Sequence, residues 1–127
     1  MFPSIFAWLK GDSEVTAIVG TRIYEHQAVP QGQAPIVEPF LSWFIASLGP
    51  ENNLSDPPPT DRVTVQVDSW HTDAAGVKTL AQAVRNALEP YGHMTGLVAN
   101  LREPETRLYR VGLTFDIWLD RQREVSS

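Results

Sequence analysis

The sequence contains no cysteine among its 127 residues. Disulfide bonds, thiolate zinc sites and cysteine nucleophiles are therefore excluded, and the composition is compatible with the reducing environment of the cytosol. No apolar run approaches the roughly 20 residues that a membrane-spanning helix needs, so we expect no membrane partner. The beginning of the chain also lacks the basic segment and the small-residue cleavage site of a secretory signal peptide.

Basic residues are scarce relative to acidic ones. The chain has 10 Lys and Arg against 15 Asp and Glu, which gives a formal net charge of -5 at pH 7. A protein that binds DNA regardless of its sequence needs a basic face to neutralise phosphates, so this balance argues against that class. With 43% hydrophobic residues, the composition is that of a soluble globular chain. We expect a single domain over 1–127, with an ordered core at about 3–120 and a frayed tail at 121–127.

Recognisable catalytic motifs are missing as well, since the chain has no P-loop, no G-x-S-x-G and no G-x-G-x-x-G. The segment DSWHTD places Asp68, His71 and Asp73 close together. No second histidine is near them, however, and Asp73 is better explained as a helix cap. His26 and His93 are isolated. We therefore expect no enzyme, no catalytic or metal-binding residue and no cofactor.

Three helices are predicted. Pro3 and Gly11 bound a short helix at 3–10, and a second short helix at 13–20 has Asp12 or Ser13 as its cap. The third begins at Thr72 or Asp73 and runs to about Glu89. Its apolar positions recur at helical period and predict one buried face: Val77, Leu80, Ala81, Val84, Ala87 and Leu88.

The remaining apolar segments predict strands. They lie at Ile23 and Tyr24, at 36–47, at 62–70, near 97–103 and from Arg107 to about Leu119. Pro39 removes one backbone donor from the second of these, so we expect it to be an edge strand or to carry a bulge. The segment 48–61, rich in Pro, Asn and Asp, predicts a long loop that is either functional or disordered.

The predicted order α, α, β, β, β, α, β, β indicates an α+β fold. We expect an antiparallel or mixed sheet of about four to five strands, with the long helix and the short N-terminal helical pair packed on one face. The core should join the long helix to the apolar sides of the two alternating strands, namely Val63, Val65, Val67, Val111, Leu113 and Phe115.

The other side of the two alternating strands is polar but includes tryptophan. Trp70, Arg110 and Trp118 fall on this side by alternation. Such a face is either solvated or a contact between subunits, because Trp and Arg are enriched where proteins meet. We take these three residues as the candidate subunit interface.

Two proline-rich segments are candidate assembly loops. The first is an extended connection after Tyr24, in which prolines lower the entropy lost on ordering and Gln27, Gln31 and Gln33 offer contacts to a neighbour. A plain connecting loop is the alternative. The second is 48–61, where Asn52, Asn53 and Asp56 would contact a partner.

The chain resembles the small tail-completion proteins of long-tailed phages and prophages. Three sequence segments, in this order, carry the resemblance: GTRIY, the following VPQGQAP and PETRLYRVGLTFDIW. That family groups with tail terminators and tail-to-head joining proteins, and the resemblance covers roughly residues 5–119. Pro39 departs from it, since an unbroken strand is expected there.

The resemblance implies a structural virion protein in the tail-neck region, assembled in the host cytoplasm. Its expected partners are further copies of itself in a ring, usually a hexamer, the major tail tube protein and a head-completion or neck protein. The ring would cap the tube, stop its polymerisation and let DNA pass without specific binding. The alternatives are another neck component, such as a head-closure or stopper protein, and a small ligand-binding or enzymatic domain.

Overall fold

Three helices and five strands make up the part of the chain that the computed structural model describes, residues 3–26, 38–50 and 60–120. Their order is the predicted one, and the α+β class is confirmed. The elements are α1 (Ile5–Lys10), α2 (Ser13–Val19), β1 (Ile23–Glu25), β2 (Phe40–Pro50), β3 (Thr60–His71), α3 (Ala74–Leu88), β4 (Gly92–Arg102) and β5 (Tyr109–Asp120).

Aspartate caps begin two of the helices. The side chain of Asp12 accepts hydrogen bonds from the backbone N–H groups of Glu14 and Val15 at 3.0 and 3.1 Å. Asp73 likewise accepts from the N–H of Gly76 at 2.7 Å, so α3 begins where the sequence predicted. Each cap satisfies a donor that has no partner inside its own helix.

The five strands form one mixed sheet in the order β1-β2-β3-β5-β4. β1 pairs with β2 in parallel, and every other neighbouring pair is antiparallel. The two long strands β3 and β5 are therefore adjacent, in the middle of the sheet. α3 crosses over both of them, and α1 and α2 pack beside α3 on the same face.

The core lies between the helices and this face of the sheet. Val65 of β3 stands opposite Phe115 of β5, and both side chains are fully buried together with Leu80 of α3. The N-terminal helical pair adds a second group of buried side chains. The core residues predicted for α3, β3 and β5 are all buried in one cluster, Val63, Val65, Val67, Val77, Leu80, Val84, Leu88, Val111, Leu113 and Phe115. The predicted packing of α3 on the sheet is thus confirmed.

The bounds of β2 and β3 correct two sequence predictions. β2 begins at Phe40 and not at residue 36, because Pro39 has no N–H to donate and precedes the strand. β2 also carries a bulge between Ile45 and Ser47. The loop predicted at 48–61 is shorter, since the β2–β3 ladder continues through residues 48–50 and 60–61, where backbone pairing does not depend on side-chain polarity. Residues 51–59 lie outside the described part.

The last hairpin corrects two further boundaries. β4 begins at Gly92, not near residue 97, and bulges between Met94 and Gly96 and between Leu97 and Ala99 break the alternation that would have identified its first half. β5 begins at Tyr109 and not at Arg107. Arg107 has φ 61°, which lies outside the strand region and closes the turn that the sequence REPET predicted.

Truncation of Leu80 tests the contact between α3 and the sheet. We expect Leu80→Ala to lower the free energy of unfolding by about 2–5 kcal/mol, because the side chain is fully buried and its removal leaves a cavity. Guanidinium unfolding followed by circular dichroism measures this change. The matched control is Thr79→Ala on the exposed side of the same helix, expected to stay within about 0.5 kcal/mol. Equal midpoints for both variants would show that Leu80 does not face the core.

Candidate interaction surface

The side of the sheet opposite the helices carries the candidate interface residues. We call it the polar face; on β3 and β5 it consists of Arg62, Thr64, Gln66, Asp68, Trp70, Arg110, Gly112, Thr114, Asp116 and Trp118. Side-chain pairs across the two strands organise it. The hydroxyl of Thr64 donates to the carboxylate of Asp116 at 2.7 Å, and Arg110 stands opposite Trp70 in the ladder. The alternation read from the sequence thus holds on both central strands.

Trp70 is enclosed within the subunit. Its ring lies between the ring of Phe40, at a centroid distance of 5.6 Å, and the guanidinium of Arg110, 5.3 Å from the ring centroid. Its indole Nε1 donates to the hydroxyl of Ser42 at 3.0 Å. Only 8% of the residue is exposed. Trp70 therefore belongs to a small aromatic layer on the polar face and offers little surface of its own to a partner.

Arg110 is held by two carboxylates. It pairs with Glu103 at 3.1 Å and with Asp68 at 3.5 Å. Asp68 is only 1% exposed and also accepts a hydrogen bond from the amide of Gln66 at 3.0 Å. A buried carboxylate is costly unless it is paired and hydrogen-bonded, so these contacts fix the position of the guanidinium over Trp70.

Gly112 makes room for this arrangement. It stands opposite Asp68 in the β3–β5 ladder, and a Cβ atom placed on it would lie 2.6 Å from Asp68 Oδ1. Any larger residue would push the carboxylate away from its partners. The absence of a side chain at this position is thus what allows a charged group to lie within a sheet of apolar and aromatic neighbours.

Trp118 is the most accessible of the three predicted interface residues. It is 38% exposed, and its ring lies 5.0 Å from the ring of His93, near the beginning of β4. The structure thus brings Trp70 and Arg110 into contact and places Trp118 at the other end of β5. The six candidate loop residues, Gln27, Gln31, Gln33, Asn52, Asn53 and Asp56, lie outside the described part of the chain.

A second exposed set was missed by the sequence reading. Leu97, Val98 and Leu101 of β4 are all exposed, and Leu97 is 56% accessible. The signal was present in the segment LVANL, where apolar residues do not alternate with polar ones. A strand with apolar residues on both faces is typical of a parallel sheet covered by helices on both sides, whereas β4 is antiparallel to β5. Only the strand order shows that β4 lies at an edge.

The residues of DSWHTD do not gather into a metal site. His71 Nδ1 accepts a hydrogen bond from the backbone N–H of Asp73, whose own side chain caps α3. Asp68 is directed to the polar face, toward Arg110. Within residues 3–26, 38–50 and 60–120, no group of three or more His, Asp or Glu side chains could hold a metal ion. None of the helices described is long and apolar enough to cross a membrane.

Comparisons with known proteins agree with a role carried out by surfaces. The family model described as tail completion protein gp17 matches residues 3–120. Among solved structures, a chain of the "virion of native gene transfer agent (GTA) particle" is 20% identical, with 91% of each chain covered and a TM-score of 0.66, so the two share a fold. Among curated proteins, no match was found. Because the family match spans almost the whole chain, the protein belongs to the tail completion protein gp17 family and is a structural component of a phage-type tail, not an enzyme.

Proposed function

We propose that the protein is a tail terminator. Copies of the chain assemble into a homohexameric ring that caps the tail tube, stops its polymerisation and joins the tail to the head-completion proteins of the neck. The observation that carries this proposal is the family match over residues 3–120. A completion protein must bind the end of one assembly and present a surface to the next, and this work requires shaped surfaces and no reactive groups.

The polar face supplies one of these surfaces. Trp118 is the candidate contact residue, because an exposed tryptophan at a protein surface contributes large apolar area when a partner covers it. Arg110 and Trp70 support this surface without forming the contact themselves. Their mutual contact and the ion pairs of Arg110 keep this part of the face rigid. A rigid surface loses less conformational entropy on association than a mobile one.

The two candidate loops complete the proposal. Glutamines of the segment after β1 and the polar residues of the β2–β3 connection are the proposed contacts to the tube and the neck. DNA passes through the opening of the ring without specific binding, because the chain has a net charge of -5 and a neutral or acidic wall does not retain phosphates. Arg22 is consistent with a wall that does not bind DNA, because its guanidinium donates hydrogen bonds to the backbone oxygens of Pro39 and Ile18.

Assembly with the tube protein tests the function directly. We expect the purified protein to form a ring by native mass spectrometry and to arrest the growth of tail tubes at substoichiometric amounts, with the ring on tube ends in electron micrographs. A variant with residues 51–59 replaced by a Gly-Ser link should keep its melting temperature but lose attachment to the tube or the neck. Binding to isolated heads and no effect on tube length would instead indicate a head-closure protein.

Replacing Trp118 tests the contact on the polar face. Trp118→Ala should weaken ring formation at micromolar concentration more than it lowers the melting temperature, because the side chain is already partly solvated in the single subunit. The matched control is Phe6→Ala, which removes an aromatic ring of similar exposure, 41%, on α1. The assignment is wrong if native mass spectra of the two variants and the wild type show the same distribution of oligomers.

Binding to duplex DNA tests the charge of the opening. The assembled ring should show no binding at micromolar concentration and physiological ionic strength, where exposed charges are screened beyond about 8 Å. Fluorescence anisotropy of a labelled duplex, titrated at two salt concentrations, measures this. Binding that weakens steeply with added salt would reveal phosphate contacts and contradict the proposed passage without binding.

A further inference from the structure

The strand β4 forms one edge of the sheet and carries two bulges, but most of its length lacks the charged residues that protect many edges. It is 11 residues long, and among the residues the structure describes only β5 pairs with it. Within the described ranges the backbone groups on its other side have no strand partner, and such an edge can accept a further strand. Natural edge strands are commonly shielded by charged residues or proline, yet the segment from Met94 to Leu101 contains neither.

The exposed apolar residues of β4 lie on both faces of the sheet. Leu97 stands opposite Leu113 and is on the helix side, whereas Leu101 stands opposite Arg110 on the polar face. Val98, in the second bulge, also points to the polar face, because its Cγ2 is 3.1 Å from a Cβ placed on Gly112. A partner that added a strand here would cover apolar surface on both faces at once. We call β4 with Leu97, Val98 and Leu101 the apolar edge.

A groove with a basic rim runs beside the apolar edge. It has a volume of about 290 Å³ and lies between α3 and β4, with Met94 and Leu97 among the residues of its floor and Lys78 and Arg85 at its rim. Arg85 pairs with Glu89 at 3.0 Å within α3. Lys78 has no ion pair among the described residues. Since β4 contains no acidic residue, two copies joined through the same edge would bring their Lys78 side chains together with no carboxylate from β4 between them.

The opposite edge of the sheet has the complementary charge. It consists of the three-residue strand β1, whose Glu25 is exposed and which covers only the beginning of β2, and Glu38 is exposed just before β2. The guanidinium of Arg22 is bound to backbone oxygens, and His26 Nε2 lies 3.6 Å from the carboxylate of Glu25. β2 extends beyond β1, and its exposed Leu48 adds apolar surface there. We call Glu25, Glu38 and Leu48 the acidic edge.

We propose that the apolar edge of one copy binds the acidic edge of a second copy, so that the sheets of neighbouring subunits lie edge to edge. The partner that covers the groove is thus a second copy of this chain. Lys78 and Arg85 at the groove attract the carboxylates of that copy's acidic edge, Glu25 and Glu38. A contact between two unlike surfaces is head-to-tail, and head-to-tail contacts form a ring when the rotation between neighbouring subunits closes. The inference rests on the proposed function, because it names the surfaces through which the proposed ring would form.

Charge reversal at the two edges tests the pairing. The full-length variants are Lys78→Glu with Arg85→Glu, and Glu25→Lys with Glu38→Lys. For each variant alone, the dissociation constant of the oligomer should rise about tenfold or more, because like charges then meet at the contact. An equimolar mixture should recover the wild-type oligomer, with the two variants in equal numbers by native mass spectrometry, because the reversed edges are again complementary. Recovery also shows that both variants are folded.

Two further variants separate charge from other effects. Leu97→Ser removes exposed apolar area from the contact without changing its charge and should reduce assembly, without rescue by either charge variant. Asn86→Glu changes the charge on the side of α3 that faces α1, outside the residues of both edges, and should leave the oligomer unchanged. Circular dichroism confirms that each variant is folded before assembly is measured.

The outcomes distinguish this pairing from the ring itself. A wild-type oligomer that persists in both charge variants, or that is lost in both without recovery on mixing, overturns the edge pairing and leaves the proposed ring in place. A wild type that stays monomeric, alone and with the tube protein, overturns both. Dissociation of each variant and an alternating oligomer in the mixture support the pairing.

Discussion

The antiparallel pairing of β3 with β5 is the interaction on which the rest of the structure depends. Twelve residue pairs join the two strands without an interruption in register. Because side chains alternate between the faces, this one register places Val65 and Phe115 under α3 and, by the same step, Trp70 beside Arg110 on the polar face. A shift of the β3–β5 register by one residue would exchange the core side chains with those of the polar face. The hydrophobic core therefore also positions the surface proposed to act in assembly.

The polar face shows how a small sheet can hold charge in its interior. Asp68 is enclosed, and it is compensated by Gln66, by Arg110 and by the space that Gly112 leaves. The result is a fixed guanidinium over an enclosed indole, not a solvated layer of mobile side chains. This arrangement offers no reactive group, but it gives a rigid surface. A rigid surface loses less conformational entropy on association, which favours the proposed role in assembly.

The unequal edges of the sheet give the molecule a direction. β4 is long and apolar beside a basic groove, whereas β1 is short and ends at the exposed Glu25. A subunit with two like edges would form closed pairs; one with two unlike edges forms chains or rings. In the proposed pairing, charge selects the partner edge, and the two bulges of β4 bend the strand and limit the shapes that can pair with it.

Much of this followed from local pattern alone. The capped and amphipathic α3, the alternation in β3 and β5 and the order of all eight elements could be predicted, because each depends on residues close together in the chain. The sequence also excluded cysteine chemistry by composition, and the residues PETRLYRVGLTFDIW carried the family resemblance. Polarity alone put Trp70, Arg110 and Trp118 on one face, but it could not separate the enclosed Trp70 from the exposed Trp118.

Only the tertiary structure decided which strand lies where. The first half of β4 is hidden from sequence patterns by bulges, which depend on backbone pairing with β5. Pairing with a distant strand also extends β2 and β3 into a segment of loop-like composition. The same is true of the contacts of Asp68, whose partner Arg110 is 42 residues away. The edge position of β4 follows from the strand order, which no local pattern contains. Side-chain periodicity reports the face on which a residue lies, whereas the neighbours on that face are set by long-range pairing.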